Sequence, residues 1–447
     1  MVKIKFLGAA SMVTGSCYFL TGENTGLMVD FGMFQGKTEE MGLNSIKPDM
    51  DFGRLTAVML THAHLDHCGR LPLLIRYGFA GPIFMTEATK ALTELVLFDS
   101  AKLAKEEEAK MTLYTEEDVE KILKQVQLVE YDKPFMVGEF EITYSDAGHI
   151  LGSATVLIEE KSTGKRVSFS GDLGNTPEPL LTPTHWVKKA DVAVVESTYG
   201  DEIHEARDEV EELAAIVTEA EAEKGTVIIP SFSLQRSQEI LYIFDQLKKQ
   251  GKMAEGTPVF LDSPMAIKAT EIFRDFPELY SRKLQTQAKL DDPFDFPGLV
   301  LCDTIEKSRQ IKNMMGTKVI VAGSGMMTGG RVLHHVISFL GDPKTQLVFV
   351  GYQAEGTMGR QIKDGADNVY VWGNIVTVKA RIKEIRTMSS HADQVQVLIW
   401  LGKMKGLSRV ILTHGEKFPR LVLAEKVRQE FPGVIVDQPM LKDEIEI

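Results

Sequence analysis

This chain is poor in cysteine, in long hydrophobic runs and in positive charge. Of its 447 residues only Cys17, Cys68 and Cys302 are cysteine, far apart and odd in number. They frame neither a disulfide scaffold nor a Cys-x-x-Cys site, and Cys68 is expected to be a small buried thiol. Any metal site must then be built from imidazole and carboxylate. No stretch approaches the ~18 uninterrupted apolar residues of a membrane span. The start, Met1-Val2-Lys3-Ile4-Lys5-Phe6-Leu7-Gly8, reads as a strand entering a turn and not as a signal peptide. The expectation is a cytoplasmic protein with no membrane partner. Lys and Arg number 50 against 63 Asp and Glu, a net charge of −13. Broad capture of nucleic acid usually needs a basic surface. A polyanion would have to be held in a narrow groove, which net charge does not forbid.

What is present is concentrated at Thr61-His62-Ala63-His64-Leu65-Asp66-His67. It follows the apolar run Ala57-Val58-Met59-Leu60. Histidine nitrogen and carboxylate oxygen are the ligands zinc accepts when thiolates are absent. Residues two apart in an extended segment point the same way, so His62 and His64 can grip one ion. Asp66 and His67, past the bend, can reach a second.

The length suggests two or three domains. Short alternating segments recur early: 2–7, 17–20, 26–30, 140–144, 154–158 and 167–170. These read as strands with one buried face. A long helix is expected over 88–110 and a charged one over 116–124. After residue 204 the texture changes. An acidic amphipathic helix over 205–224 precedes apolar runs at 226–230, 258–262, 318–323 and 346–351. Strands alternating with helices imply a parallel sheet covered on both faces. Metal-type residues return near the end with His391 and His414. The expected organisation is a first domain part over 1–204, an inserted domain over 205–380, and a last part over 381–447.

Other acids and histidines sit where strands run out, beside glycines: Asp30, His149 in Gly148-His149, Asp172 in Gly171-Asp172-Leu173-Gly174, and His414 in His414-Gly415. Strand tips flanked by glycine are where a sheet presents ligands. With the segments Leu27 to Gly32, His62 to Pro72, Ala147 to Gly152, Ser170 to Gly174, Val195 to Gly200, Ser389 to Asp393 and Thr413 to Glu416, the chain resembles the metallo-β-lactamase superfamily. Within it, the chain is most similar to the β-CASP ribonucleases, and the similarity covers essentially its whole length. The resemblance implies an α/β fold: an αββα sandwich carrying an inserted parallel-sheet β-CASP domain. It implies two Zn2+ per chain. By matching position, His62, His64 and His149 would bind the first, Asp66, His67 and His414 the second, and Asp172 both. Asp30 would orient a ligand or the water.

A hydroxide shared by two zinc ions is a nucleophile at neutral pH and suits phosphodiester hydrolysis. The resemblance makes His391 the general acid and Glu196 its partner. In the family, His at position 414 goes with members that process RNA, while those directed at DNA tend to carry Val. The expected partner is single-stranded RNA, cut internally, from its 5′ end, or both. Hydrolysis of a DNA phosphodiester or a small ester or thioester is the alternative. Three strand-to-helix junctions carry Arg236, Arg331 and Arg360, and Gly-rich turns with arginine can clamp phosphate. They form neither an NTPase loop nor a nicotinamide fingerprint. Resemblance assigns Arg236 and Ser390 to the substrate backbone, with Gln235 where many relatives have Gly and Ser390 where many have Ala. His334 and His335 read as packing or surface residues. A homodimer stays open.

Overall fold

The computed structural model describes residues 2–106, 112–204, 208–385 and 388–447. Contacts divide the chain into two compact units, Met1–Ile203 with His391–Ile447, and His204–Ser390.

The first unit is built on two seven-stranded sheets. One runs, in spatial order, Glu444–Glu446, Lys3–Gly8, Cys17–Thr21, Gly26–Val29, Leu55–Met59, Ile83–Met85 and Val126–Leu128. The other runs Ile435–Asp437, Arg409–Thr413, Val192–Glu196, Arg166–Phe169, Ala154–Glu160, Phe140–Asp146 and Phe135–Val137. Period-two alternation decides their packing. Val192, Val194 and Ile411 point into the core shared with Ile4, Phe6, Leu27 and Val29 of the first sheet. Their neighbours Ala193, Val195, Val410 and Leu412 point outward onto Val397, Trp400, Leu401 and Leu423. Those last four belong to the helices Gln394–Gly402 and Lys417–Glu430. Burying one such side chain contributes roughly 1.5–3 kcal/mol. A one-residue slip would exchange the two faces, so the register is strongly specified. The helix Glu87–Glu106 lies beside the other sheet. The unit is an αββα sandwich.

Residues 107–110, where the long helix was expected to continue, lie outside the described residues, as do 205–207 at the start of the expected acidic helix. That helix spans Glu209–Glu223, and Asp208 caps it by accepting from the amides of Val210 and Glu211.

The second unit is a six-stranded sheet in the order Leu299–Leu301, Val259–Asp262, Lys318–Ala322, Thr226–Pro230, Gln346–Phe349 and Arg381–Glu384. Every pairing in it is parallel. Thr226–Pro230 and Lys318–Ala322 are buried at every position, as helices on both faces require. The last expected strand, with no clear helix after it in sequence, is followed by the short helix Met358–Lys363, which Thr357 caps. Among the described residues no helix is long and apolar enough to cross a membrane.

Candidate metal centre

Parallel strands end together, and that places the site. Gly26–Val29 and Leu55–Met59 pair in parallel, so Asp30 and the His62 stretch leave the first sheet side by side. Arg166–Phe169, Val192–Glu196 and Arg409–Thr413 pair in parallel in the second sheet, delivering Asp172, Glu196 and His414. His149 follows Phe140–Asp146. His64 has an extended backbone (φ −65°, ψ 146°) and starts the short helix Leu65–Cys68, whose first turn carries Asp66 and His67. Asp30 and His414 adopt positive φ, 59° and 47°, a conformation that is strained for non-glycine residues and clusters at functional sites.

Two sets of ligand atoms meet around Asp172. His64 Nδ1 lies 3.1 Å from His62 Nε2 and 3.2 Å from His149 Nε2. Asp172 Oδ2 is 3.4 Å from His62 Nε2 and 3.6 Å from His149 Nε2. In the second set, His414 Nε2 lies 3.2 Å from His67 Nε2 and 3.3 Å from Asp66 Oδ2. Asp172 Oδ1 is 3.3 Å from His67 Nε2 and 3.6 Å from His414 Nε2. Asp172 thus gives one oxygen to each set.

The chemistry of these donors fits a metal. Thr61 Oγ1 lies 2.9 Å from Asp30 Oδ2, to which it donates, so it can accept from His62 Nδ1 at 3.0 Å. Asp30 also accepts from the Thr61 amide and contacts His67 Nδ1 at 2.8 Å. Thr198 Oγ1 donates to Glu196 Oε2 and lies 3.1 Å from His414 Nδ1. Each of these rings has one nitrogen held by an oxygen, which turns the lone pair of the other nitrogen toward the set. Asp172 Oδ1 is buried, and among the described residues no hydrogen bond reaches it. Burial, with the charge of His67, pushes His62 well below the usual imidazole range. Burial likewise brings His64 down to about 4. Both lowered pKa values favour the neutral imidazole, the form that can bind a metal. Burial opposes charge on His67, but Asp172, Asp30 and Asp66 outweigh it and hold its pKa well above the usual value. The same carboxylates would favour a bound cation in place of that proton.

His391 stands beside both sets. The Ala392 amide donates to the Leu173 carbonyl at 2.8 Å, pinning the segment to the Asp172 loop. His391 Nδ1 lies 3.0 Å from Glu196 Oε2, and its ring packs against that of His149 with centroids 4.6 Å apart. Glu196 is itself fixed by the Leu173 amide at 2.7 Å. Burial lowers the His391 pKa, but the charge and hydrogen bond of Glu196, with Asp172 and Asp66, raise it to about 9.

Asp30, Glu196, His391 and the seven expected ligands therefore converge in the first unit. The expected phosphate contacts lie in the second. Arg236 is 4% exposed; its Nη1 donates to the buried Glu239 carboxylate, and its Nη2 donates to Ser390 Oγ at 3.1 Å. Arg331 spends its guanidinium on Asp262 (2.8 Å) and on the carbonyls of Cys302 and Asp303. Arg360 binds Asp364. His335 is buried against Asp262 at 2.7 Å. Nothing in the sequence marks Thr61 or Thr198 for a role. Hydroxyls this common next to a ligand motif give no signal until their distances are known.

Family models match the chain in three segments: metallo-β-lactamase superfamily over residues 12–230, Beta-Casp domain over 237–362, and Zn-dependent metallo-hydrolase RNA specificity domain over 375–439. Ribonuclease TTHA0252 of Thermus thermophilus is 37% identical over 95% of either chain. The chain belongs to the β-CASP group of the metallo-β-lactamase superfamily. Other relatives of this β-CASP protein are an RNase J-like protein of Methanocaldococcus jannaschii, 30% identical over 95% of both chains, and the transcription termination factor FttA of the same organism, 30% identical over 96% of this chain and 69% of that one. A crystal structure of a protein of unknown function from Enterococcus faecalis matches the full length of both chains with a TM-score of 0.56 at 12% identity, which speaks for the fold alone. The β-CASP protein is a metallohydrolase by family, and its His and Asp cluster is suited to a metal cofactor.

Proposed function

We propose that the chain is a cytoplasmic, two-zinc ribonuclease that hydrolyses phosphodiester bonds of single-stranded RNA, internally, from the 5′ end, or both. The observation that carries the reading is the His391–Glu196 pair standing beside two ligand sets, with one oxygen of Asp172 near each. The names of the relatives point the same way: one is a ribonuclease and another RNase J-like.

In this reading His62, His64, His149 and Asp172 would hold the first ion, and Asp66, His67, His414 and Asp172 the second. Two bound zinc ions would supply an activated water and neutralise charge on the phosphoryl group. The chain's own residues do the rest. Asp30, Thr61 and Thr198 hold the imidazoles in the ligating tautomer. Glu196 accepts from His391 Nδ1 and keeps the ring protonated, so that Nε2 can pass a proton to the leaving oxygen. Arg236 and Ser390, joined by a hydrogen bond in the second unit, are the candidates for contact with the RNA backbone. Arg331 and Arg360, which also bind Asp262 and Asp364, are further candidates for contact with phosphate. The insertion is taken to follow the first domain part, 1–204, and to run past the expected end at 380, since the strand Arg381–Glu384 pairs within its sheet.

The test is cleavage of 5′-labelled and 3′-labelled RNA with and without a chelator. Chelator-sensitive products with defined ends support the reading, and the product ladder separates internal from end-directed cutting. Thioester hydrolysis with no action on RNA would overturn it.

A further inference from the structure

In a chain of net charge −13, four lysines of the first unit gather at one place on its surface. They come from two segments far apart in sequence, His185-Trp186-Val187-Lys188-Lys189 and Lys403-Met404-Lys405. The Lys405 amide donates to the Lys188 carbonyl at 3.0 Å, and Lys189 and Lys405 are partners in a parallel bridge. Val187, Ala190 and Met404 turn inward to the core that holds Trp400 and Leu401. Lys188, Lys189, Lys403 and Lys405 are exposed, and among the described residues no carboxylate pairs with any of them. Trp186 is 45% exposed, with Lys403 Nζ 5.7 Å from its ring centroid.

The strip has a direction. The His185 amide donates to the Asp146 carbonyl at 2.8 Å, and Thr184 Oγ1 donates to the Ala147 carbonyl at 2.9 Å, just before His149. At the other end the Asp191 amide donates to the Arg166 carbonyl at 3.0 Å. Arg166 begins the strand Arg166–Phe169, and Asp172 follows the far end of that strand. The strip therefore leads from the loop that carries His149 to the opposite edge of the same sheet, a path of at most about 20 Å for six extended residues. Two acids border it and are engaged: Asp132 lies 3.6 Å from His185 Nδ1, and Asp191 accepts from the Arg166 amide. Like charges placed opposite each other repel, and no acid among the described residues offsets Lys189 beside Lys405.

We propose that this strip is an exosite for single-stranded RNA, holding the phosphate backbone of the strand beyond the metal centre, with Trp186 as a stacking surface for a base. The choice of RNA rests on the ribonuclease reading; the need for a polyanion rests on the strip itself. Lysines hold phosphates as point charges and carry no base preference. An aromatic ring accepts any base by its face. An anionic lipid surface fits less well. It is broad and would set its charge against the acidic remainder of the chain, whereas a single strand can follow a narrow positive strip through a negative field. RNA long enough to reach the strip gains affinity, and RNA confined to the metal centre does not.

The experiment compares the full chain with a variant combining Lys188→Gln, Lys189→Gln, Lys403→Gln and Lys405→Gln, and with Trp186→Ala. Affinity for a long single-stranded RNA is read by fluorescence anisotropy over a salt series, each chain also carrying His391→Ala so that the RNA is not consumed. The salt slope should shrink by about 0.7 for each lysine removed, and affinity at low salt should fall roughly 100-fold. Trp186→Ala should lose about 10-fold with the slope kept. With His391 restored, KM for the long RNA should rise while kcat holds, and cleavage of a trinucleotide should not change. The melting temperature should stay the same or rise, because the lysines are exposed and repel one another. The proposal is overturned if the lysine variant keeps the wild-type affinity and slope, or if long and short RNA lose equally. It also fails if phosphatidylserine vesicles bind the wild type but not the lysine variant while RNA affinity is equal in both, which would give the strip to a lipid surface. If no chain cuts RNA, the ribonuclease reading fails, and the anisotropy still decides the strip.

Discussion

His391 Nδ1 lies 3.0 Å from Glu196 Oε2, so a buried carboxylate holds this imidazole at the edge of the two ligand sets. The hydrogen bond orients the ring and stabilises its protonated form.

Replacing His391 by Ala should cut RNA cleavage by roughly 10²–10⁴-fold, the usual contribution of a positioned general acid. Zinc content and melting temperature should stay near wild type, because His391 is outside both ligand sets. Steady-state cleavage with metal analysis on the same sample checks this, and an unchanged rate would remove the assigned role.

A general acid works protonated, so activity should fall as pH rises through the His391 pKa, about 9. Glu196→Gln keeps the shape but removes the negative charge that raises this pKa. The alkaline limb of the pH–rate profile should then move to lower pH by roughly 1–3 units. Movement in the opposite direction, or none, would contradict the pairing.

Asp172 offers Oδ2 to one set of imidazoles and Oδ1 to the other. Asp172→Ala should therefore weaken both ions, while His149→Ala and His414→Ala should each weaken one. Zinc bound per chain after dialysis against a graded chelator separates the three variants. Equal losses in all three would mean that the two sets are not distinct.

Arg70 is 2% exposed, and among the described residues no carboxylate pairs with its guanidinium. It donates from Nε to the Gly32 carbonyl and lies 4.5 Å from the rings of Phe31 and Phe34. The Phe31 amide in turn donates to the His67 carbonyl at 2.8 Å, so Arg70 braces the loop against the helix that carries Asp66 and His67. Arg70→Met should cost about 2–4 kcal/mol, from the unpaired carbonyl and the lost cation–π contacts. Chemical denaturation of the metal-free protein measures it.

Gly32 packs against that same helix, where an added Cβ would overlap the Asp66 carbonyl. That atom is backbone and cannot swing away. Gly32→Ala should displace the Asp66 segment and lower zinc affinity at the second set more than at the first. A metal titration that shows two unperturbed sites would contradict this.

The sequence by itself determined the donors and the two kinds of sheet. Thr226–Pro230 and Lys318–Ala322 were legible as buried parallel strands because both their faces are apolar, and the strands of the sandwich because theirs alternate. His62 to His67 announced a metal because no other chemistry needs three imidazoles and a carboxylate so close together. Helix ends were read less well. The acidic helix begins at Glu209, because Asp208 supplies the capping oxygen. Tertiary structure alone decided the rest. Asp172, Glu196 and His414 are far apart in the chain and meet because parallel strands deliver their carboxyl ends to one edge. Thr61 and Thr198 gained their roles from distances near 3 Å to ring nitrogens. The arginines at 236, 331 and 360 stand at strand-to-helix junctions in sequence, and only the packed structure gave each its carboxylate partner, Glu239, Asp262 and Asp364. A side chain's partner is set by which backbones pack beside it, and no spacing along the chain encodes that.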